Sequence, residues 1–75
     1  MNAQTDDLAG RLGEIVDRAR RAAGISQQDF ARMSEMSHRT LQRSLAGERS
    51  FTFEELINMA RVLDVPPESL YAIAG

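Results

Sequence analysis

Four side chains inside one short stretch, His38, Arg39, Gln42 and Arg43, carry hydrogen-bonding chemistry with a specific geometry. A guanidinium can donate two parallel N–H bonds to the O6 and N7 of guanine, and a glutamine amide can pair with the N6 and N7 of adenine. An imidazole can donate to a base acceptor or to a phosphate oxygen. If Leu41 and Leu45 anchor a helix here, then His38, Arg39, Gln42, Arg43 and Ala46 share its opposite face. That face is open to two readings. It could meet the edges of bases, or it could be the solvated polar face that most surface helices carry.

Other chemistry is poorly represented. The chain has one His and no Cys. No pairing of residues suggests acid–base or nucleophilic catalysis, and no cluster of ligands suggests a metal site. The reading is a non-enzyme that needs no metal or other cofactor. The methionines Met33, Met36 and Met59 read as adaptable core filling. Phe51, an aromatic in a polar loop, reads as core.

Formal net charge is -2, yet the charge is unevenly placed. From Arg18 to Arg49 seven arginines face three acids, a net +4, while the remainder holds two arginines and eight acids, a net -6. All nine basic residues are Arg. A GC-rich coding sequence would favour that, and Arg is also the better bidentate donor to phosphate and guanine. Local potential, not the sum, steers a charged partner.

Seventy-five residues suit a single domain spanning 1–75, with residues 1–6 expected to be flexible. A domain of this size buries only about 60% of its unfolded surface. No apolar run approaches the ~20 residues of a membrane span. The N-terminal stretch lacks the basic and apolar regions of a signal peptide. The expectation is a cytoplasmic protein that does not contact membrane.

Periodicity places five helices under these residues. Leu8, Leu12, Ile15, Val16 and Ala19 line one face of the first, with Thr5 or Asp6 at its start and Gly24 at its exit. Ser26 opens the second, with Asp29 in a capping-box-like relation, and Phe30 and Ala31 face inward. A turn through Glu35 and Met36 leads to Ser37, the cap of the third, which Gly47 stops. Thr52 and Glu55 form a capping box for a fourth helix over 53–63, with Phe53, Leu56, Ile57, Ala60 and Leu63 on its inner face. Pro67 suits the first turn of a fifth, carrying Leu70, Tyr71 and Ile73. No period-2 alternation competes, so the class is all-α.

Helix, short turn, helix is the helix-turn-helix arrangement. Here the chain resembles the lambda-repressor-like, Cro/repressor-type DNA-binding domains, over about residues 8–73. The resemblance rests on GISQ entering the second helix, Ala31 four residues after Gln27, and Ser37 before the third helix. LAGER closes that helix, and LINMARVLDV matches the fourth. It implies a compact five-helix domain with the helix-turn-helix at helices 2 and 3. The family usually has Gly where this chain has Glu35, apolar residues at Ser34 and Ser44, and often Pro at Phe51. A left-handed Glu35 would cost roughly 1 kcal/mol.

The resemblance implies a sequence-specific, double-stranded-DNA-binding transcriptional regulator. The expectation is a repressor of the phage Cro/repressor type, phage or bacterial, reading the major groove with helix 3. His38, Arg39, Gln42 and Arg43 are then the base-reading candidates. Gln27, at a helix N-terminus, is the family's phosphate-binding Gln, with Gln28 beside it. Arg20, Arg21, Arg49, Ser50 and Thr52 complete the phosphate candidates, although Arg20 and Arg21 also suit a helix C-terminus and Thr52 a cap. The partner would be a palindromic operator, bound by a weak homodimer formed mainly on DNA, with Leu70, Tyr71 and Ile73 as dimer candidates. The acidic balance and the apolar C-terminus leave a second reading: a protein-interaction module or antitoxin-like partner using the same fold.

Overall fold

In the computed structural model, residues 3–71 are described, with side chains from residue 9 onward. The side chain of Leu8 and all of Ile73 lie outside the described residues. The order is α1 (Ala3–Ala22), α2 (Gln27–Met33), α3 (His38–Leu45), α4 (Phe53–Leu63) and α5 (Glu68–Tyr71), with no strand among the described residues. The first helix begins at Ala3, so Thr5 and Asp6 lie within it, not ahead of it as the capping pattern suggested.

Local chemistry sets the helix starts. Ser26 Oγ accepts the Asp29 N–H at 3.1 Å, and Ser37 Oγ accepts the Thr40 N–H at 3.0 Å. Each satisfies one of the free donors at a helix N-terminus. Of the caps of α2, α3 and α4, that of α4 alone is reciprocal: Thr52 Oγ1 accepts the Glu55 N–H at 3.1 Å, and Glu55 Oε1 accepts the Thr52 N–H at 2.9 Å. At α2 the Asp29 carboxylate instead takes the Arg32 guanidinium at 2.8 Å.

The helix ends share one device. After α1, α2, α3 and α4 comes a left-handed residue, respectively Gly24, Glu35, Gly47 and Asp64. In each case its N–H bonds the carbonyl three residues back, and the next N–H bonds the carbonyl five residues back. At the turn between α2 and α3 these bonds are Glu35 to Arg32 at 3.2 Å and Met36 to Ala31 at 2.8 Å. This is the Schellman geometry, in which Gly costs nothing and a residue with a Cβ costs roughly 1 kcal/mol. Glu35, at φ 62, therefore holds the position where the resemblance expects Gly, in the conformation that explains that preference.

Val16, Phe30, Ala31, Leu41, Phe51, Leu56, Met59, Ala60 and Leu70 form one buried core. α3 lies against α1 and α2, α4 against α2 and α5, and α5 also against α1. Ala31 of α2, the small residue the resemblance expects here, is buried in that core. Phe51 is core, as its apolar type in a loop suggests. Two apolar residues are exposed against expectation: Phe53 at 64% and Met33 at 47%. Phe53 is the first residue of α4, at the rim of the bundle, where its ring meets Tyr71 with centroids 6.0 Å apart. Met59 is fully buried, as its reading as core filling expected, although it was not among the residues named for the inner face of α4. Ser34 and Ser44 are both fully buried, in the places where the resemblance expects apolar side chains.

Candidate nucleic-acid interface

α3 turns Leu41 into the core and leaves Arg39, Gln42 and Arg43 exposed on the other side. These three, with Glu48 just beyond the helix, line an open hollow of about 370 Å³. The helix is held at both ends. Ser37 caps it, and the carbonyls of Arg43 and Ser44 receive the N–H groups of Glu48 and Gly47. At its far end Gly13 of α1 presses directly on the Leu45 and Ser44 carbonyls, with no room for a Cβ between them.

The arginines divide by what they touch. Arg20 is spent inside the chain, on Asp17 at 2.9 Å and the Ile25 carbonyl at 2.7 Å, with its side chain 12% exposed. Arg21 pairs loosely with Asp17 at 3.2 Å on the surface. Arg32 pairs with Asp29, whose carboxyl is held below its ordinary pKa by the Arg32 hydrogen bond and charge. Arg49 is bidentate to Glu55. Among the described residues Arg39 and Arg43 make no hydrogen bond or ion pair. The two guanidinia facing the hollow are therefore free for another partner.

The other sequence candidates are scattered around α3. His38 is only half-buried where the helical stripe put it outward; its Nε2 is shielded from solvent and has no partner among the described residues. Gln27 opens α2 half-buried, and Gln28 beside it is exposed. Ser50 is exposed in the loop after α3, and Thr52 serves the α4 cap. Leu70 belongs to the core, while Tyr71 is half-buried at the rim beside Phe53. Glu48 is the residue that sequence reasoning passed over. Its place directly after the stop glycine was legible, but the fold-back that brings it beside Arg43 was not.

Glu55 carries opposing influences. Burial pushes its pKa up, but the Arg49 hydrogen bond, the Thr52 N–H and the Arg49 charge outweigh that and hold it below the ordinary value. The same contact raises Arg49.

Comparison with known proteins places the whole arrangement. A family model described as helix-turn-helix matches residues 16–70. The crystal structure of the restriction-modification controller protein C.AhdI from Aeromonas hydrophila is similar, with a TM-score of 0.80 and 24% identity. The match covers 84% of this chain and 96% of that one, and the likeness is one of fold. No curated protein matches the sequence.

Proposed function

This chain belongs to the lambda-repressor-like helix-turn-helix family of DNA-binding transcriptional regulators, and from that premise we propose that it is a sequence-specific reader of double-stranded DNA, of the Cro/repressor type. α3 enters the major groove, which is wide enough for one helix. The observation that carries this reading is the pair of unpaired arginines, Arg39 and Arg43, flanking Gln42 in one exposed hollow. Most other central arginines spend their charge on internal acids. Water solvates two exposed guanidinia without penalty, and because no internal acid holds them they are available to an anionic or acceptor-rich partner; base edges beside phosphates supply both.

In this reading Arg39 and Arg43 take guanine edges, Gln42 takes adenine, and His38 contacts a phosphate or base near the start of α3. Gln27 and Gln28 at the start of α2, Arg21 at the end of α1, and Ser50 and Thr52 after α3 face the backbone. Arg20 is left to its internal bonds. A weak dimer assembles on a palindromic site with half-sites about 34 Å apart. With Leu70 inside the core, Tyr71 and the exposed Phe53 are the side chains suited to meet a second copy.

Selection of bound duplexes from random DNA, followed by anisotropy titration at several salt concentrations, tests the proposal. The expected result is a recovered palindrome, bound more tightly than its scrambled form. Affinity should fall steeply with salt, at about 0.9 in log-log slope per phosphate neutralised. Equal affinity for selected and scrambled DNA would sink it. Capture of a protein partner, with no retention on DNA or heparin at low salt, would favour the interaction-module reading.

A further inference from the structure

Arg49 lies beyond α3 in sequence but folds back onto it. Its Nη1 donates to Ser44 Oγ at 2.8 Å and to Glu55 Oε1 at 3.0 Å, and its Nη2 donates to Glu55 Oε2 at 2.8 Å. Glu55 Oε1 also accepts the Thr52 N–H of the α4 cap. One guanidinium and one carboxylate thus join α3, the following loop and α4. Ser44 is fully buried, and the Arg49 and Glu55 side chains are 27% and 18% exposed.

We propose that Ser44, Arg49 and Glu55 form a latch that positions α3 for DNA, and that Arg49 acts through this latch, not as a phosphate contact. The inference rests on the DNA-reading proposal above. The physical case begins with Ser44. A two-turn helix has few inward positions, and here one of them is a hydroxyl with no apolar grip. The guanidinium replaces that grip with a bond of fixed direction. A bidentate Arg–carboxylate pair constrains orientation as well as distance, which a Lys or a single contact does not. The guanidinium also sits toward the C-terminal end of α3, the negative end of its dipole. Ser44 is flanked by Arg43 and follows Gln42 by two residues, so a small rotation of α3 released at Ser44 carries both reading side chains with it. Side chains that recognise a partner must be held within roughly 0.5 Å by the residues behind them.

The decisive variants are Glu55→Gln, Ser44→Ala and Arg49→Gln, compared with wild type on a selected duplex and its scrambled form. Glu55→Gln keeps an Oε1 acceptor for the Thr52 N–H, so the α4 cap survives while the charged pair is lost. Ser44→Ala leaves the Arg49–Glu55 pair intact and cuts only its tie to α3. Thermal unfolding run beside each titration confirms that the variants are folded at the assay temperature. Each variant is expected to lower the ratio of selected to scrambled affinity about tenfold, the scale of one charge-assisted hydrogen bond. The salt slope should not change. If Arg49→Gln instead reduces the slope by about 0.9, Arg49 neutralises a phosphate and the latch proposal is wrong. It is equally wrong if Glu55→Gln and Ser44→Ala keep the wild-type ratio while folded. Loss of discrimination in the wild type itself would instead remove the DNA-reading proposal, and the latch with it.

Discussion

Gly10 and Gly13 lie one turn apart on α1, yet the structure gives a methyl group at the two positions opposite consequences. A Cβ built on Gly13 would stand 2.5 Å from the Leu45 carbonyl oxygen, 2.9 Å from that of Ser44 and 3.0 Å from the Leu45 carbonyl carbon. All three are backbone atoms at the end of α3, so no side chain can swing aside. Ordinary contact begins near 3.4 Å, and α1 and α3 would have to part by nearly that deficit. Forcing a methyl group into such a contact costs about 1–3 kcal/mol. Replacing a helical Gly by Ala returns about 1 kcal/mol through helix propensity. Gly13→Ala should therefore be destabilising by about 0–2 kcal/mol. At Gly10 no atom lies within 4 Å of the added Cβ, so Gly10→Ala keeps the propensity gain and should stabilise by up to about 1 kcal/mol. For a domain of this size each kcal/mol moves the melting temperature by roughly 4–8 °C. Thermal unfolding followed by circular dichroism measures the difference between the two variants. Because the clash falls on α3, Gly13→Ala should also weaken binding to a selected DNA duplex, whereas Gly10→Ala should not. A Gly13→Ala protein melting as high as Gly10→Ala would refute the claim that the α1–α3 approach is closed to a side chain.

Four further outcomes follow from the same contacts. Arg43→Ala should cost about 1–3 kcal/mol of DNA affinity, concentrated at one base-pair position of a selected site and read by single-substitution competition. Glu35→Gly should be more stable than Glu35→Ala by roughly 1 kcal/mol in denaturant unfolding, since both lose the same side chain and only Gly adopts φ 62 without a Cβ penalty. The folded pKa of Glu55 is lowered, so its contribution is complete above the unfolded value near 4.3 and disappears as pH falls through the lower folded value. Melting temperatures taken from pH 7 to pH 3 should therefore fall more for wild type than for Glu55→Gln, with Asp29, also lowered, shared by both proteins. Neutralising the exposed Glu54 and Glu68 together should raise affinity for scrambled DNA at low salt, an effect that screening removes as the Debye length shortens to about 8 Å near physiological ionic strength.

What could be read in the sequence was governed by neighbours a few residues away. Ser26, Ser37 and the Thr52–Glu55 pair mark helix starts because a cap needs only a side-chain oxygen three residues before an N–H. α4 falls over 53–63 as its box and its apolar period require. The turn before α3 was legible even in its defect, because the Schellman geometry demands a left-handed residue and Glu35 has to supply it. The failures have a common cause as well. Helical periodicity says which side a residue faces but not how deep that side lies. Phe53 is on the right stripe of α4 and still exposed, because the bundle ends there. His38 is on the outward stripe of α3 and still half-buried, with its Nε2 shielded from solvent. Ser34 and Ser44 looked like departures in packing, and only the fold reveals that Ser44 has exchanged an apolar contact for the Arg49 guanidinium.

The acidic total deceived for the same reason. Counting charge along the chain isolates a basic centre, but it treats every arginine in that centre as equivalent. The fold does not. Asp17 engages Arg20 and Arg21, Asp29 engages Arg32, and Glu55 reaches across a loop from the acidic remainder to engage Arg49. The close pairings withdraw Arg20, Arg32 and Arg49 from service elsewhere at a modest gain in stability, while the loose, exposed Arg21 pair leaves that guanidinium able to turn to a phosphate. Arg39 and Arg43 escape this because they stand on the exposed side of α3, away from the core, and Glu48, which lines the same hollow, makes no ion pair with either among the described residues. The acids therefore do more than dilute the net charge. By occupying Arg20, Arg32 and Arg49 they leave the two exposed guanidinia of α3, with Arg18 on α1, as the unpaired positive charge of the basic centre. A protein organised this way is expected to gain little from non-specific DNA and much from a groove whose acceptors match two side chains.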